Sequence, residues 1–211
     1  QDPLPEGGVY VLELSSYQID LTFSLDCEVA VLLNITPDHL DRYENLDAYA
    51  DSKARLFEMQ APQGYIVVDN ETDATFGSAE FATDPWFVFY DLEMYKGDLG
   101  PALQGPHNRA NALAAIGACR SLEVSEEAIE KGLVTYPGLP HRMERIAEKS
   151  GILFVNDSKA TNTESTAPAL AAYPHVHWVV GGRAKTEDLG PCADQLDHVR
   201  AAYTIGEAGP M

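Results

Sequence analysis

Asn34, Thr36, Asp38, His39 and Asp41 crowd together directly after a short apolar run at 30–33, and Lys53 follows them. The run is too short for a membrane helix, is rich in aliphatic residues and stops at Asn34-Ile35-Thr36-Pro37, so it reads as a strand buried on both faces. Open sheets bind their ligands at the carboxyl ends of parallel strands. His39 therefore stands where chemistry is expected.

The spacing after it predicts a helix over 45–59 whose inward stripe is Leu46, Tyr49, Ala50, Lys53, Leu56 and Phe57. A lysine in the middle of that stripe has two readings. Its stem can pack while the ammonium snorkels to water, or Lys53 points into the same polar cleft as His39, as a ligand-binding or modified side chain. Upstream, 8–14 reads as a strand ending at Glu13, a carboxylate suited to hold Mg²⁺ through a hard oxygen ligand. Ser15, Ser16 and Gln18 after it either cap a short turn or contact a ligand.

Whatever is bound must be bound against the overall field. Of 211 residues, 33 are acidic and 14 are Lys or Arg, a net charge of -19, which argues against non-specific binding to nucleic acid or to anionic membranes. An anionic ligand then depends on local cations or metal ions. The hydrophobic fraction of 45% fills a genuine core. Cys27, Cys119 and Cys192 are scattered and form no Cys-x-x-Cys pair, as expected of a reduced cytoplasmic protein. No stretch reaches the length of a membrane span, and residues 1–8 lack the features of a signal peptide.

Further along, 64–69 and 86–90 read as strands, and the fold of 70–104 is left unassigned. Asn108 and Asn111 precede an alanine-rich helix over 112–122 and share a face of its first turn. Their amides pair a donor with an acceptor, as an adenine edge requires. Asn108 also suits an N-cap. Ser125 caps a second helix running to about 134, and Tyr136-Pro137-Gly138-Leu139-Pro140 marks a domain boundary, with Arg142 just beyond it as a candidate hinge residue for nucleotide phosphate or ribose. A hairpin of 143–148 with 152–156 leads into a strand-to-helix loop, Asp157-Ser158-Lys159-Ala160-Thr161-Asn162, before a helix over 163–173. Thr161 and the backbone N–H groups at that helix start suit a carboxylate. After a strand at 177–180, Gly181-Gly182-Arg183-Ala184-Lys185 suits an anion; a helix over 189–196 and a strand over 199–205 complete the pattern.

Glu13-Leu14-Ser15-Ser16-Tyr17-Gln18, the stretch from Leu33 to Arg42, Lys53, and Gly105-Pro106-His107-Asn108-Arg109-Ala110-Asn111-Ala112 together resemble the central ATPase domain of the Mur ligases, in order and in approximate spacing. Gly138-Leu139-Pro140-His141-Arg142 and the 157–162 loop resemble the branch of that family that adds D-glutamate. The fold class this implies is α/β. Residues 1–138 would be part of a P-loop-type central ATP-binding domain with a mostly parallel sheet, and 139–211 part of a Rossmann-like C-terminal domain that binds D-glutamate.

The resemblance also implies a ligase reaction. ATP phosphorylates the carboxylate of UDP-N-acetylmuramoyl-L-alanine, and the D-glutamate amine attacks the acyl phosphate, a step of peptidoglycan biosynthesis. Mg²⁺ is held by Glu13, His39 and a carbamylated Lys53. Asn108 and Asn111 take adenine, Arg142 and Asp157 the phosphate and ribose side, and Lys159 the reacting region; Ser15, Gln18, Thr161 and Lys185 contact substrates. A cytoplasmic monomer is expected, with no nucleic-acid or membrane partner. No Gly-x-x-x-x-Gly-Lys-[Ser/Thr] loop occurs in the sequence, which reads as an internal fragment expected to be inactive alone. The alternatives are a sister Mur-type amino-acid ligase and a non-catalytic nucleotide-binding module derived from one.

Overall fold

A computed structural model describes residues 4–36, 42–69, 86–90, 95–183 and 188–209. The chain divides into two compact units, 1–90 and 91–211.

The first unit is built on a parallel sheet of β1 (Val29–Leu32), β2 (Tyr65–Asp69) and β3 (Trp86–Tyr90), in that order. Register runs Ala30↔Ile66 and Ile66↔Phe87. A strand is buried on both faces when it has neighbours on both edges and cover above and below. That strand is β2, whose Ile66, Val67 and Val68 are essentially inaccessible. The strand at the head of the polar cluster, β1, instead alternates, with Ala30 and Leu32 buried and Val29 and Val31 partly exposed. Its expected two-sided burial is corrected for a plain reason: among the described residues it is paired on one edge only.

The expected strand over 8–14 is a second correction. Among the described residues this segment joins no ladder, and Val9, Tyr10, Val11 and Leu12 are exposed. Alternating apolar residues make a strand only where a neighbour takes their backbone N–H and C=O groups. The segment ends in α1 (Ser16–Asp20), a short helix closed by a capping box in which Ser15 Oγ and Gln18 Oε1 answer each other's backbone N–H groups.

The lysine-bearing helix, α2 (Leu46–Glu58), is capped by Asn45 Oδ1, which accepts the Ala48 N–H at 2.9 Å. Tyr49, Ala50, Ser52, Ala54 and Phe57 are its buried positions. Leu46, expected inward, is exposed, and Ser52 and Ala54, not expected, are buried. The buried face is wider than the predicted stripe because α2 packs against α1 as well as against the sheet. Phe57 and Ala54 close the core with Ala30, Leu32, Ile66 and Val68.

In the second unit α3 (Pro106–Ser121) starts six residues before its predicted boundary. Pro106 at the first helical position has no N–H to lose and a pre-set φ. Asn108 therefore lies inside the first turn, and the N-cap is Gly105. Next, α4 (Glu126–Thr135) is capped by Ser125 and tied back by Arg120, whose guanidinium donates to both Glu126 carboxylate oxygens at 2.6 and 2.8 Å. Strands β4 (Glu144–Lys149) and β5 (Ile152–Asn156) form an antiparallel hairpin. Its two-residue turn, Ser150 and Gly151, has φ of 54° and 75°, the sign pattern of a type I′ turn.

Asn162 then caps α5 (Thr163–Ala171) through a capping box with Ser165, and β6 (Val176–Gly181) pairs in parallel with β7 (Val199–Ile205). Between α5 and β7 the helix expected over 189–196 is a 3₁₀ helix, Gly190–His198. Its burial explains the winding. Cys192 is buried and Gln195 and His198 are partly so, while the residues between them are exposed, a spacing of three that 3₁₀ geometry lines up on one side. Cys192 packs there against Ala167 and Leu170. At the end of the β6–β7 pair the backbones come into contact: Gly182 N–H donates to Ile205 O, and Ala208 N–H to Gly182 O, both at 3.0 Å.

Candidate functional site

Candidate residues fall in both units. In the first, α2 carries Lys53 half-buried, its Nζ 5.0 Å from the centre of the Tyr49 ring, so it stands on a packed face of the helix. A cation over a tyrosine face is stabilised by the ring quadrupole. Glu13 is exposed, two residues before the α1 cap. Ser15 and Gln18 realise the capping reading: Gln18 Oε1 accepts from both Ser15 N–H and Ser15 Oγ at 2.8 Å. His39, the proposed metal ligand between Glu13 and Lys53, lies outside the described residues, as do Asp38 and Asp41. Among the described residues no three His, Cys, Asp or Glu side chains gather in a way that would hold a metal ion.

Joining α1 to α2 is a group that the sequence did not single out. Asp20, the last residue of α1, accepts from Ser52 Oγ at 2.6 Å on Oδ1 and from Tyr43 Oη at 2.8 Å on Oδ2. Tyr43 Oη and Ser52 Oγ are 3.2 Å apart, closing a triangle. Two arginines complete it. Arg42 lies 3.5 Å from Asp20 Oδ2 and 4.3 Å above the Tyr17 ring, and Arg55 lies 3.8 Å from Oδ1 while donating to Ile19 O and Thr22 O. The Ser52 hydroxyl above all, with Tyr43 and Arg42, holds the Asp20 carboxyl below the usual carboxylate range against the opposing effect of burial. The signal available in the sequence was Ser52, a polar residue next to Lys53 in a helix that must pack.

In the second unit Asn108 and Asn111 sit on one side of the first two turns of α3. Asn108 Nδ2 donates to Gln104 O at 2.9 Å, leaving its acceptor oxygen outside that bond, and Asn111 is exposed. Asp157, at the end of β5, is half-buried and accepts the Met143 N–H at 2.9 Å. Arg142, whose own N–H bonds Leu139 O, is exposed, and its charge bears on Asp157. Lys159 is exposed and anchored by its backbone to His141 O; Thr161 is exposed; Lys185 lies outside the described residues. The geometry thus brings Arg142 and Asp157 into one electrostatic neighbourhood.

His107, in the first turn of α3, belongs to that neighbourhood too. Burial pushes its imidazole down although Asp157 pulls it up, and burial pushes the Asp157 carboxyl up although Met143, His107 and Arg142 pull it down. An imidazole and a carboxyl near each other would ordinarily shift the other way, so desolvation outweighs their attraction here. Among the described residues the buried Nδ1 of His107 has no hydrogen-bond partner. A cleft of about 390 Å³ opens beside it, lined by Pro106, Glu164, Ala167, Pro168 and Asp194 among others. Its lining is mainly apolar and includes none of Asn111, Asp157, Lys159 or Thr161.

Among the described residues no helix is long and apolar enough to cross a membrane. The sequence matches the family model of the Mur ligase middle domain over residues 4–96 and that of the Mur ligase glutamate ligase domain over 141–211. It is 55% identical to a UDP-N-acetylmuramoylalanine--D-glutamate ligase of Novosphingobium aromaticivorans, with 100% of this chain and 48% of that protein covered. A protein of the same name from Zymomonas mobilis is 51% identical, with 99% and 48% covered. The chain spans about half the length of these curated relatives. Among solved structures it is similar to a MurF of Acinetobacter baumannii at a TM-score of 0.63 and 20% identity, over 90% of this chain and 52% of the other. A MurF ligase of Thermotoga maritima gives 0.64 at 18%, over 85% and 49%. At those identities the likeness speaks for the fold, a mixed α/β arrangement with parallel sheets.

Proposed function

Because this chain belongs to the Mur ligase family, we propose that it carries the central and C-terminal parts of an ATP-dependent ligase that joins D-glutamate to UDP-N-acetylmuramoyl-L-alanine. What carries the reading is the succession of a Mur ligase middle domain and a glutamate ligase domain in a chain 55% identical to a ligase of that name. In it ATP activates the acceptor carboxylate as an acyl phosphate, and the D-glutamate amine displaces phosphate. The protein works in the cytoplasm as a monomer, and the ATP-binding part extends to residue 138.

This chain's residues divide the work as follows. Asn108 and Asn111 contact adenine through amides on one side of α3, and Arg142 and Asp157 serve the phosphate and ribose side. Lys159 faces the reacting groups. Thr161 and Lys185 hold D-glutamate, and Ser15 and Gln18 contact the acceptor from the capped turn of α1. Bound Mg²⁺ supplies charge neutralisation for the phosphates. Glu13, His39 and Lys53, the last as a carbamate, are the residues that would hold it. The described residues offer a partial fit: Glu13 is an exposed hard oxygen donor, whereas the position of Lys53 over Tyr49 suits its ammonium form.

The test is phosphate release by the chain extended to the length of its relatives, assayed with each substrate omitted in turn. Release should require ATP, UDP-N-acetylmuramoyl-L-alanine and D-glutamate together. Lys53→Ala should lower it by about a hundredfold, in line with loss of one preorganised charge-stabilising group. Release that proceeds without D-glutamate, or with another amino acid in preference, would overturn the reading.

A further inference from the structure

We propose that Asp20 is a positioning residue that fixes the rotation of α2 about its own axis, and with it the direction of Lys53. This rests on the proposed role of Lys53 in the ligase reaction. The observation is the triangle of Asp20, Tyr43 and Ser52: two short bonds from neutral hydroxyls occupy both carboxylate oxygens, and a third contact joins the hydroxyls to each other. An isolated surface ion pair contributes little and tolerates movement. A buried serine held at 2.6 Å by a carboxylate on another helix does not.

The mechanical argument follows from helix geometry. Successive side chains on an α-helix point about 100° apart, so Ser52 and Lys53 project from adjoining faces of the same turn. Fixing Ser52 against α1 sets the roll of α2. A roll of about 20° would carry a long side chain's tip roughly 2 to 3 Å, given the radius at which it ends. Displacements of about 1 Å can cost a hundredfold in rate when groups must meet in one geometry. Asp20 also fixes Arg42 and Tyr43, and through its place at the end of α1 it ties the Ser15 to Gln18 turn to the same helix.

The deciding variants are Asp20→Leu, Asp20→Asn and Ser52→Ala in the chain extended to its relatives' length. Asn keeps an acceptor oxygen for Ser52 but loses the charge; Leu loses both. Two quantities are read per folded molecule: the rate at which Lys53 is acetylated by a soluble N-hydroxysuccinimide ester, followed by mass spectrometry, and phosphate release dependent on D-glutamate. Asp20→Leu and Ser52→Ala should change Lys53 labelling at least threefold and lower release at least tenfold, with Asp20→Asn within threefold of the parent in both. A purely structural or charge-balancing role would make Asn as damaging as Leu and would leave the labelling of folded molecules unchanged; that result overturns the proposal. Should Asp20→Leu fail to fold, Ser52→Ala decides alone, since it removes the Ser52 donor and its contact with Tyr43 while leaving the carboxylate and the Tyr43 bond to it in place. If the parent protein shows no D-glutamate-dependent release, the ligase reading fails, while the labelling comparison still decides what Asp20 does.

Discussion

Asp20 in the first unit and Asp157 in the second each end an element that leads into candidate residues, yet their carboxyls are driven in opposite directions. Asp20 is met by two hydroxyls and two guanidinium groups, and its ionised form is favoured. Asp157 has one backbone N–H bond and more burial, and its neutral form is favoured despite the positive charge of Arg142. Desolvation at Asp157 against the short hydroxyl bonds at Asp20, rather than the presence of an arginine, separates them. The first carboxylate is saturated by its own protein, whereas the second keeps acceptor capacity.

Removing the support beneath Asp20 should have the largest effect. Phe57→Ala would hollow the core under α2 and cost about 3 to 5 kcal/mol, read by denaturant unfolding. Next, Ser52→Ala should cost about 1.5 to 3 kcal/mol at pH 7, the range for a hydrogen bond to a charged group. The sign of its pH dependence follows from linkage. A carboxyl whose folded value is depressed contributes stability that is present above its unfolded value and lost as pH falls through the folded one. The gap between parent and Ser52→Ala should therefore narrow below about pH 3.8, the ordinary value for Asp20. A gap constant from pH 7 to 3 would detach Ser52 from the carboxylate.

His107 gives a smaller effect in the physiological range. A base whose folded value is depressed adds stability above its unfolded value near 6.5, and this is lost as pH falls below it. His107→Gln should flatten the stability profile between pH 7 and 5, measured by thermal unfolding at a series of pH values. The smallest effect belongs to Asp157. Its raised carboxyl contributes stability below the unfolded value and loses it as pH rises through the folded one, so Asp157→Asn should gain about 0.5 kcal/mol at pH 7, with the gain vanishing in acid. A loss at pH 7 would place Asp157 with Asp20 instead of opposite it.

Much of this fold was legible because its signals are local. Ser125 stands at the cap expected of it, the helices begin within a residue of 45 and 163 as expected, and the hairpin turn falls on Ser150 and Gly151. Segment 8–14 was misread because its strand pattern says nothing about whether a neighbour exists to complete it. The start of α3 was misplaced because Pro106, a sign of a break in most contexts, is favourable at a first helical position. At the candidate site, the partners of Asp20 come from positions up to 35 residues away in sequence, at Arg55. No periodicity joins them, and only packing α1 onto α2 brings them together. The motifs that resemble the Mur ligases carry the proposed ligand-facing residues, whereas the Asp20 group had no motif to betray it.

The glycines at the end of the β6–β7 pair carry a consequence for what substitution can do to this protein. A side-chain carbon at Gly181 would land on Ile205 O, and one at Gly206 would meet the Gly182 backbone at 2.8 Å, with φ at 140° and 70°. Neither obstacle is a flexible side chain that could swing aside. Gly151 has a comparable φ of 75° but open space around it. Under mutational drift these positions should behave as different kinds of letter: Gly151 should exchange with Asn or Asp, which tolerate the left-handed region, whereas Gly181 and Gly206 should admit no exchange in any functional descendant. A library randomised at all three and sorted for folded protein would thus record the backbone contact as two silent columns beside a variable one.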